Sequence, residues 1–156
     1  LLNSKDKLIG SATVRLSKKM TRILNIYLKP FNVTTEQWGV LRTLNETDHI
    51  SQKELSIRTD KDQATLTKIL DLLEKHGFVE RKTNPTDRRS FLIQITSEGR
   101  DLAKELTPFM ERIFQKITDQ MEPEKLEMYQ EVLRALEKNI DELLEDNTEH
   151  DSQKKS

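Results

Sequence analysis

Apolar residues recur at helical spacing along most of this chain. Leu8, Ile9, Ala12, Leu16, Met20, Ile23, Leu24, Tyr27 and Leu28 make the first stripe, and Pro30 limits its continuation. A shorter helix is predicted over residues 36–45, capped by Thr34 or Thr35 and burying Trp38, Leu41 and Leu44. Residues 45–50 read as a polar connection. Ser51-Gln52-Lys53-Glu54 then opens a third helix, because the serine hydroxyl can cap it and a glutamate three residues on can reach back to the cap amide. Residues 57–61 form a turn. A fourth helix runs over residues 62–76, capped by Asp60 or Asp62, striped by Leu66, Ile69, Leu70 and Leu73, and closed by Gly77 in the left-handed conformation.

After Gly77 the period changes from helical to alternating. Phe78-Val79-Glu80-Arg81 and residues 90–95 read as strands, with Phe91, Ile93 and Ile95 on one face and Asn84-Pro85 marking the turn between them. A long helix starts at Thr96 or Ser97 and carries Leu102, Leu106, Phe109, Met110, Ile113, Phe114, Ile117 and Met121 on one side, with a kink expected at Pro108. Pro123 suits the first turn of a last helix that would bury Leu126, Tyr129, Leu133, Leu136, Ile140, Leu143 and Leu144. Residues 146–156 lack apolar side chains and are expected to be disordered. The fold class is mainly α with a small β-hairpin. Two helices joined by a turn, the second with polar donors on its outer face, describe a helix-turn-helix, and the hairpin behind it adds a wing.

Composition sharpens this picture. Hydrophobic and charged residues each make up 34% of 156 residues, too few apolar groups for so many amphipathic helices unless the molecule is thin or shares its core with a partner. The chain has no cysteine, which excludes disulfides, thiol redox sensing and thiolate metal sites. No run reaches the length of a membrane span and the first thirty residues are too charged for a signal peptide, so an intracellular location without membrane association is expected. The net charge of −1 hides an asymmetry: residues 1–50 have eight Lys and Arg against four Asp and Glu, whereas residues 101–156 have eight against fifteen. His49, His76 and His150 join no ligand cluster, and no Ser/His/Asp arrangement or Gly-rich phosphate loop occurs, so no enzyme activity, metal or cofactor is expected.

The order of these parts, and several strings within them, resemble the MarR family of winged helix-turn-helix transcriptional regulators. The similarity runs from about residue 8 to residue 144 and shows in Val33-Thr34-Thr35-Glu36-Gln37-Trp38, Lys53-Glu54-Leu55-Ser56 and Leu73-Glu74-Lys75-His76-Gly77-Phe78-Val79-Glu80-Arg81. Most specific are Asp87-Arg88-Arg89-Ser90 and Ile95-Thr96-Ser97-Glu98-Gly99, which are similar to the family's wing and the entry to its long dimer helix. The resemblance implies a homodimer with intertwined terminal helices, binding pseudo-palindromic duplex DNA. Residues 1–32 and 97–145 would be the dimerisation helices, 33–96 the winged lobe, and 146–156 a polar tail. The implied protein is a bacterial-type cytoplasmic regulator, associated with the nucleoid when bound, that represses by occluding a promoter.

Individual residues follow from both lines. Gln63, Thr65, Thr67 and Lys68 lie on the polar face of the fourth helix and are expected to read the major groove. Glutamine can pair with an adenine edge, threonine can donate to a base or touch a thymine methyl, and lysine can reach guanine or phosphate. The resemblance implies Arg89 as the minor-groove residue of the wing, with Asp87 holding the arginine by a charge-assisted hydrogen bond. Arg88 and Lys82 would contact flanking phosphates. Ser51, Gln52 and Lys53 open the supporting helix, where capping and phosphate contact are compatible roles. Trp38, Phe109 and Phe114, with Met110 and Tyr129, are either core residues or the wall of a site for a small aromatic or phenolic ligand, as the resemblance suggests. A different class of function is also open: a helical interaction module that docks a protein partner through its winged lobe.

Overall fold

The computed structural model describes residues 4–153, and side-chain environments within residues 4–148. A π-helical turn, Asp6–Ser11, leads into α1 (Ala12–Leu28), and a 3-10 turn over Lys29–Phe31 ends on Asn32 at φ +58°. Helix α2 (Thr35–Glu46) is held at its start by a complete capping box. Thr34 Oγ1 accepts from the Gln37 amide, and Gln37 Oε1 accepts from the Thr34 amide. Helices α3 (Gln52–Arg58) and α4 (Gln63–Lys75) follow, with Ser51 and Asp62 as their caps. The capping box expected at α3 is half formed: Ser51 Oγ accepts from the Glu54 amide, but the Glu54 carboxylate turns to Arg58, one helical turn on. Gly77 ends the α4 segment at φ +78°, as its position after the last apolar residue implies.

The hairpin strands are β2 (Val79–Thr83) and β3 (Phe91–Ile95). A third strand, β1 (Ile50–Ser51), lies on the far side of β3, pairing Ile50 with Ile93 and Ser51 with Leu92, so the antiparallel order is β1-β3-β2. Two residues cannot show an alternation, which is why the polar-connection reading of residues 45–50 missed this strand. Phe91 is a second departure. Ile93 and Ile95 are buried as expected, but Phe91 is 48% exposed; it pairs with Thr83 on the last rung of the ladder, beside the turn that closes the hairpin.

The core of residues 1–110, the first of two units in the chain, gathers Leu28, Leu41, Leu44, Leu55, Leu66, Leu70, Leu73, Val79, Ile93 and Leu106, all fully buried. Helix α5 (Ser97–Ile117) is joined tightly to the hairpin. Thr96 donates its amide to Phe78 O, donates its hydroxyl to Gly77 O, and accepts at Oγ1 from the Gly99 amide. Gly99 permits that approach: a Cβ there would lie 2.2 Å from the Phe78 carbonyl oxygen. Asp48 supplies another tie, accepting at Oδ1 from the Ile95 amide and at Oδ2 from the Arg100 guanidinium.

Several apolar positions expected to be buried are open in the single chain. On the first stripe Leu8, Ile9, Leu16 and Ile23 are exposed, and only its end, Leu24 and Leu28, is buried. In the second unit, residues 111–156, helix α6 (Pro123–Gln153) half-buries Leu126, Leu133 and Leu136 but leaves Tyr129, Ile140, Leu143 and Leu144 exposed. Pro108 lies inside α5, which is continuous across it. The tail expected to be disordered from residue 146 is instead helical through Gln153. Residues 144–153 hold no proline or glycine to stop α6, and Asn147 and Thr148 bond back to the carbonyls of Leu143 and Leu144. The last three positions of the tail, 154–156, lie outside the described residues.

Candidate nucleic-acid interface

The helix-turn-helix is built by local bonds that its sequence makes available. Asp62 caps α4 with both carboxylate oxygens: Oδ1 accepts from the Thr65 amide and Oδ2 from the Thr65 hydroxyl, each at 2.8 Å. These bonds to Thr65, the backbone one first, hold the Asp62 carboxyl below its usual range. Asp60 does not cap; it takes φ +50° in the turn. Lys61 closes the turn by donating its backbone N–H to Ser56 O, and its ammonium lies 3.8 Å from Glu36.

The four groove-reading candidates therefore differ in what they have free. Lys68 is exposed and pairs with no acid among the described residues. The Thr65 hydroxyl is engaged by Asp62, and Thr65 is half-buried. Thr67 spends its hydroxyl hydrogen on Gln63 O at 2.8 Å and accepts from Gln52 Nε2 at 2.8 Å. Gln63 Nε2 makes a long bond, 3.4 Å, to Ser56 Oγ. Gln52 and Ser56 tie Thr67 and Gln63 to α3, whose start is capped by Ser51 and carries the exposed Lys53.

Arg81, on β2, ties that strand to α4. Its NH2 donates to Thr67 O at 3.1 Å and to Asp71 at 2.6 Å, and Glu74 stands 3.8 Å from NH1. The sequence reading passed over Arg81 as part of a basic strand. An arginine four residues past the helix-ending glycine, opposite acids on the preceding helix, was the available signal.

At the wing tip the expected pairing of Asp87 with an arginine side chain is not formed. Asp87 Oδ1 accepts instead from the backbone amide of Arg89 at 3.0 Å, shaping the turn, because that amide is two residues away while the long side chains extend outward. Arg88 and Arg89 are exposed and have no acid within ion-pair distance among the described residues. Asn84 completes the tip, accepting from the Thr86 amide and hydroxyl and donating to Ser90 Oγ. Lys82 is exposed, 4.0 Å from Glu80.

Of the proposed ligand-wall residues, Trp38 is buried in the core of the first unit, its indole N–H without a partner among the described residues. Phe109 packs against Phe31 at 5.0 Å and meets Tyr27 edge-on at 6.3 Å. Phe114 and Tyr129 belong to the second unit, Phe114 half-buried and Tyr129 exposed; Met110 is buried. A hollow of about 360 Å³ is lined by Asn25, Lys29, Asn32, Val33, Thr34, Gln37 and His76, and includes none of these five. Among the described residues no group of three or more His, Asp or Glu could hold a metal ion, and no helix is long and apolar enough to cross a membrane.

Comparison with known proteins bears on the same lobe. The model of the MarR family matches residues 33–91. Multiple antibiotic resistance protein MarR of Escherichia coli (strain K12) is 35% identical over 91 residues, 58% of this chain and 63% of that protein. The chain thus aligns with less than two thirds of the length of the relatives it matches. A mutant of E. coli MarR complexed with operator DNA is 26% identical, with a TM-score of 0.78 over 86% of this chain and 98% of the other. A MarR protein from Peptoclostridium difficile shares the fold at a TM-score of 0.80, 24% identity and 89% coverage of both chains. Family model, sequence relatives and structural neighbours agree with the winged lobe derived from the residues, and residues 33–91 match the MarR family.

Proposed function

We propose that this protein is a transcriptional regulator, a repressor in sign, that binds pseudo-palindromic duplex DNA as a homodimer in the cytoplasm. The observation that carries the reading is the wing tip. Arg88 and Arg89 stand exposed, and unpaired among the described residues, beside a turn held by Asp87 and Asn84, so their charge is available to phosphate or to a narrow minor groove. Lys68 and the polar start of α4 would enter the major groove between the wing and the amino end of α3. Ser51, Lys53 and Lys82 would meet phosphate.

Dimerisation is supported by apolar positions that one chain leaves open, Leu8, Ile9, Leu16 and Ile23 towards one end and Ile140, Leu143 and Leu144 towards the other. Burying them against a second copy removes them from water and brings two winged lobes into one particle. Release by a small aromatic or phenolic ligand belongs to the same reading and rests on the Tyr27, Phe31 and Phe109 rings, against which another ring could stack.

The test is fluorescence anisotropy with duplexes selected from a random pool. Salt-sensitive binding of two chains per symmetric site is expected, and Arg89→Ala should weaken it by about 1–3 kcal/mol while flattening the salt dependence. Failure to retain any duplex, or an unchanged salt slope in Arg89→Ala, contradicts the respective claim.

A further inference from the structure

Gln52 is expected from sequence to touch phosphate at the amino end of α3, yet its side chain reaches across to the recognition helix. Its Nε2 lies 2.8 Å from Thr67 Oγ1, fifteen residues further along the chain. The direction of that bond is set by chemistry. A threonine hydroxyl has one hydrogen, and Thr67 spends it on the Gln63 carbonyl oxygen at 2.8 Å, so Gln52 must donate and Thr67 accept. A primary amide has two hydrogens and one carbonyl oxygen. After the bond to Thr67, one hydrogen and Oε1 of Gln52 are left without partners among the described residues.

One donor beside one acceptor is what the major-groove edge of adenine requires: N6–H donates to the amide oxygen and N7 accepts from the amide nitrogen. Resting on the DNA-binding reading above, we propose that Gln52 is a specificity-determining residue that recognises an adenine in each half-site, with Thr67 as the positioning residue that holds its amide. Thr67 suits that role because it is itself fixed. Its hydroxyl is tied back to α4, and its carbonyl oxygen accepts from Arg81, which Asp71 holds in turn. The reader therefore spans both helices of the motif, and the Gln52 amide is oriented before DNA arrives, so less side-chain freedom is lost on binding.

The experiment uses the full chain and its best duplex from random-pool selection, with every half-site position substituted in turn and binding read by anisotropy. Gln52→Ala should lose discrimination at one base pair per half-site, by about tenfold or more, and leave preferences elsewhere intact. Thr67→Val, which keeps the shape and removes the acceptor, should blunt the preference at that same base pair. A third arm leaves the protein unaltered: 7-deazaadenine at that position, lacking N7, should cost wild type several-fold and cost Gln52→Ala nothing.

A uniform loss by Gln52→Ala across all duplexes, with a shallower salt slope, marks a phosphate contact and overturns the proposal. So does an unchanged preference profile, or indifference of wild type to 7-deazaadenine at every half-site adenine. These results leave DNA binding standing, whereas a wild-type protein that retains no duplex at all removes both readings.

Discussion

Gly99 offers a test in which intrinsic propensity and packing predict opposite signs. It sits in the first turn of α5, where alanine is the better helix former by up to about 1 kcal/mol, so local preference favours Gly99→Ala. Packing opposes it. The new Cβ would lie 2.2 Å from the Phe78 carbonyl oxygen and 2.8 Å from Ile95 Cγ1, and backbone at the first of these cannot swing aside as a flexible side chain could. The start of α5 would have to withdraw from the hairpin by about 1 Å to relieve that contact. Thr96 bridges the two, so this movement strains the Thr96 bonds to Phe78 O and Gly77 O. Overpacking of this kind costs about 1–3 kcal/mol, and each weakened hydrogen bond about 1 kcal/mol more. Against the propensity gain the net is a destabilisation of about 2–4 kcal/mol, or about 5–15 °C in Tm for a chain of this length. Gly39 is the control. It lies within α2 with nothing within 4 Å of a built Cβ, so Gly39→Ala should stabilise by up to about 1 kcal/mol. Thermal and urea unfolding followed by circular dichroism, at one fixed protein concentration because association would shift Tm, reads both. A Gly99→Ala protein that unfolds at or above the wild-type temperature refutes the reasoning.

Asp48→Ala should destabilise the first unit by about 1–3 kcal/mol, because the Ile95 amide loses its acceptor, whereas Arg100→Ala should cost about 0–1 kcal/mol, its guanidinium being half in solvent; equal losses in urea titrations would contradict this. Arg81→Ala should destabilise by about 2 kcal/mol through its bonds to Thr67 O and Asp71, and hydrogen exchange should quicken across α4 more than across α2; uniform change would speak against a local role. Asp62 should titrate below an ordinary aspartate, since Thr65 bonds to its charged form. A lowered folded pKa means the capping contribution is present above the unfolded value and fades as pH falls through the folded one. Carboxyl NMR titration that places Asp62 at or above the ordinary value would reject the cap as the cause.

Helices, caps and the hairpin were legible in the sequence because each depends on interactions spanning only a few residues. The apolar spacing of Leu66, Ile69, Leu70 and Leu73, the caps at Ser51 and Asp62, and the left-handed close at Gly77 appear in the structure where the pattern put them. The tertiary structure alone decided which polar groups are free. Thr67 lies on the exposed face that periodicity assigns to it, but its hydroxyl is consumed by Gln63 and Gln52, the latter fifteen residues away. β1 exists only because β3 pairs with it, and Phe91 alternates correctly yet stays exposed on the last rung before the turn. Periodicity records which side of an element a residue occupies; what meets that side is set by segments far along the chain, and no local pattern carries that information.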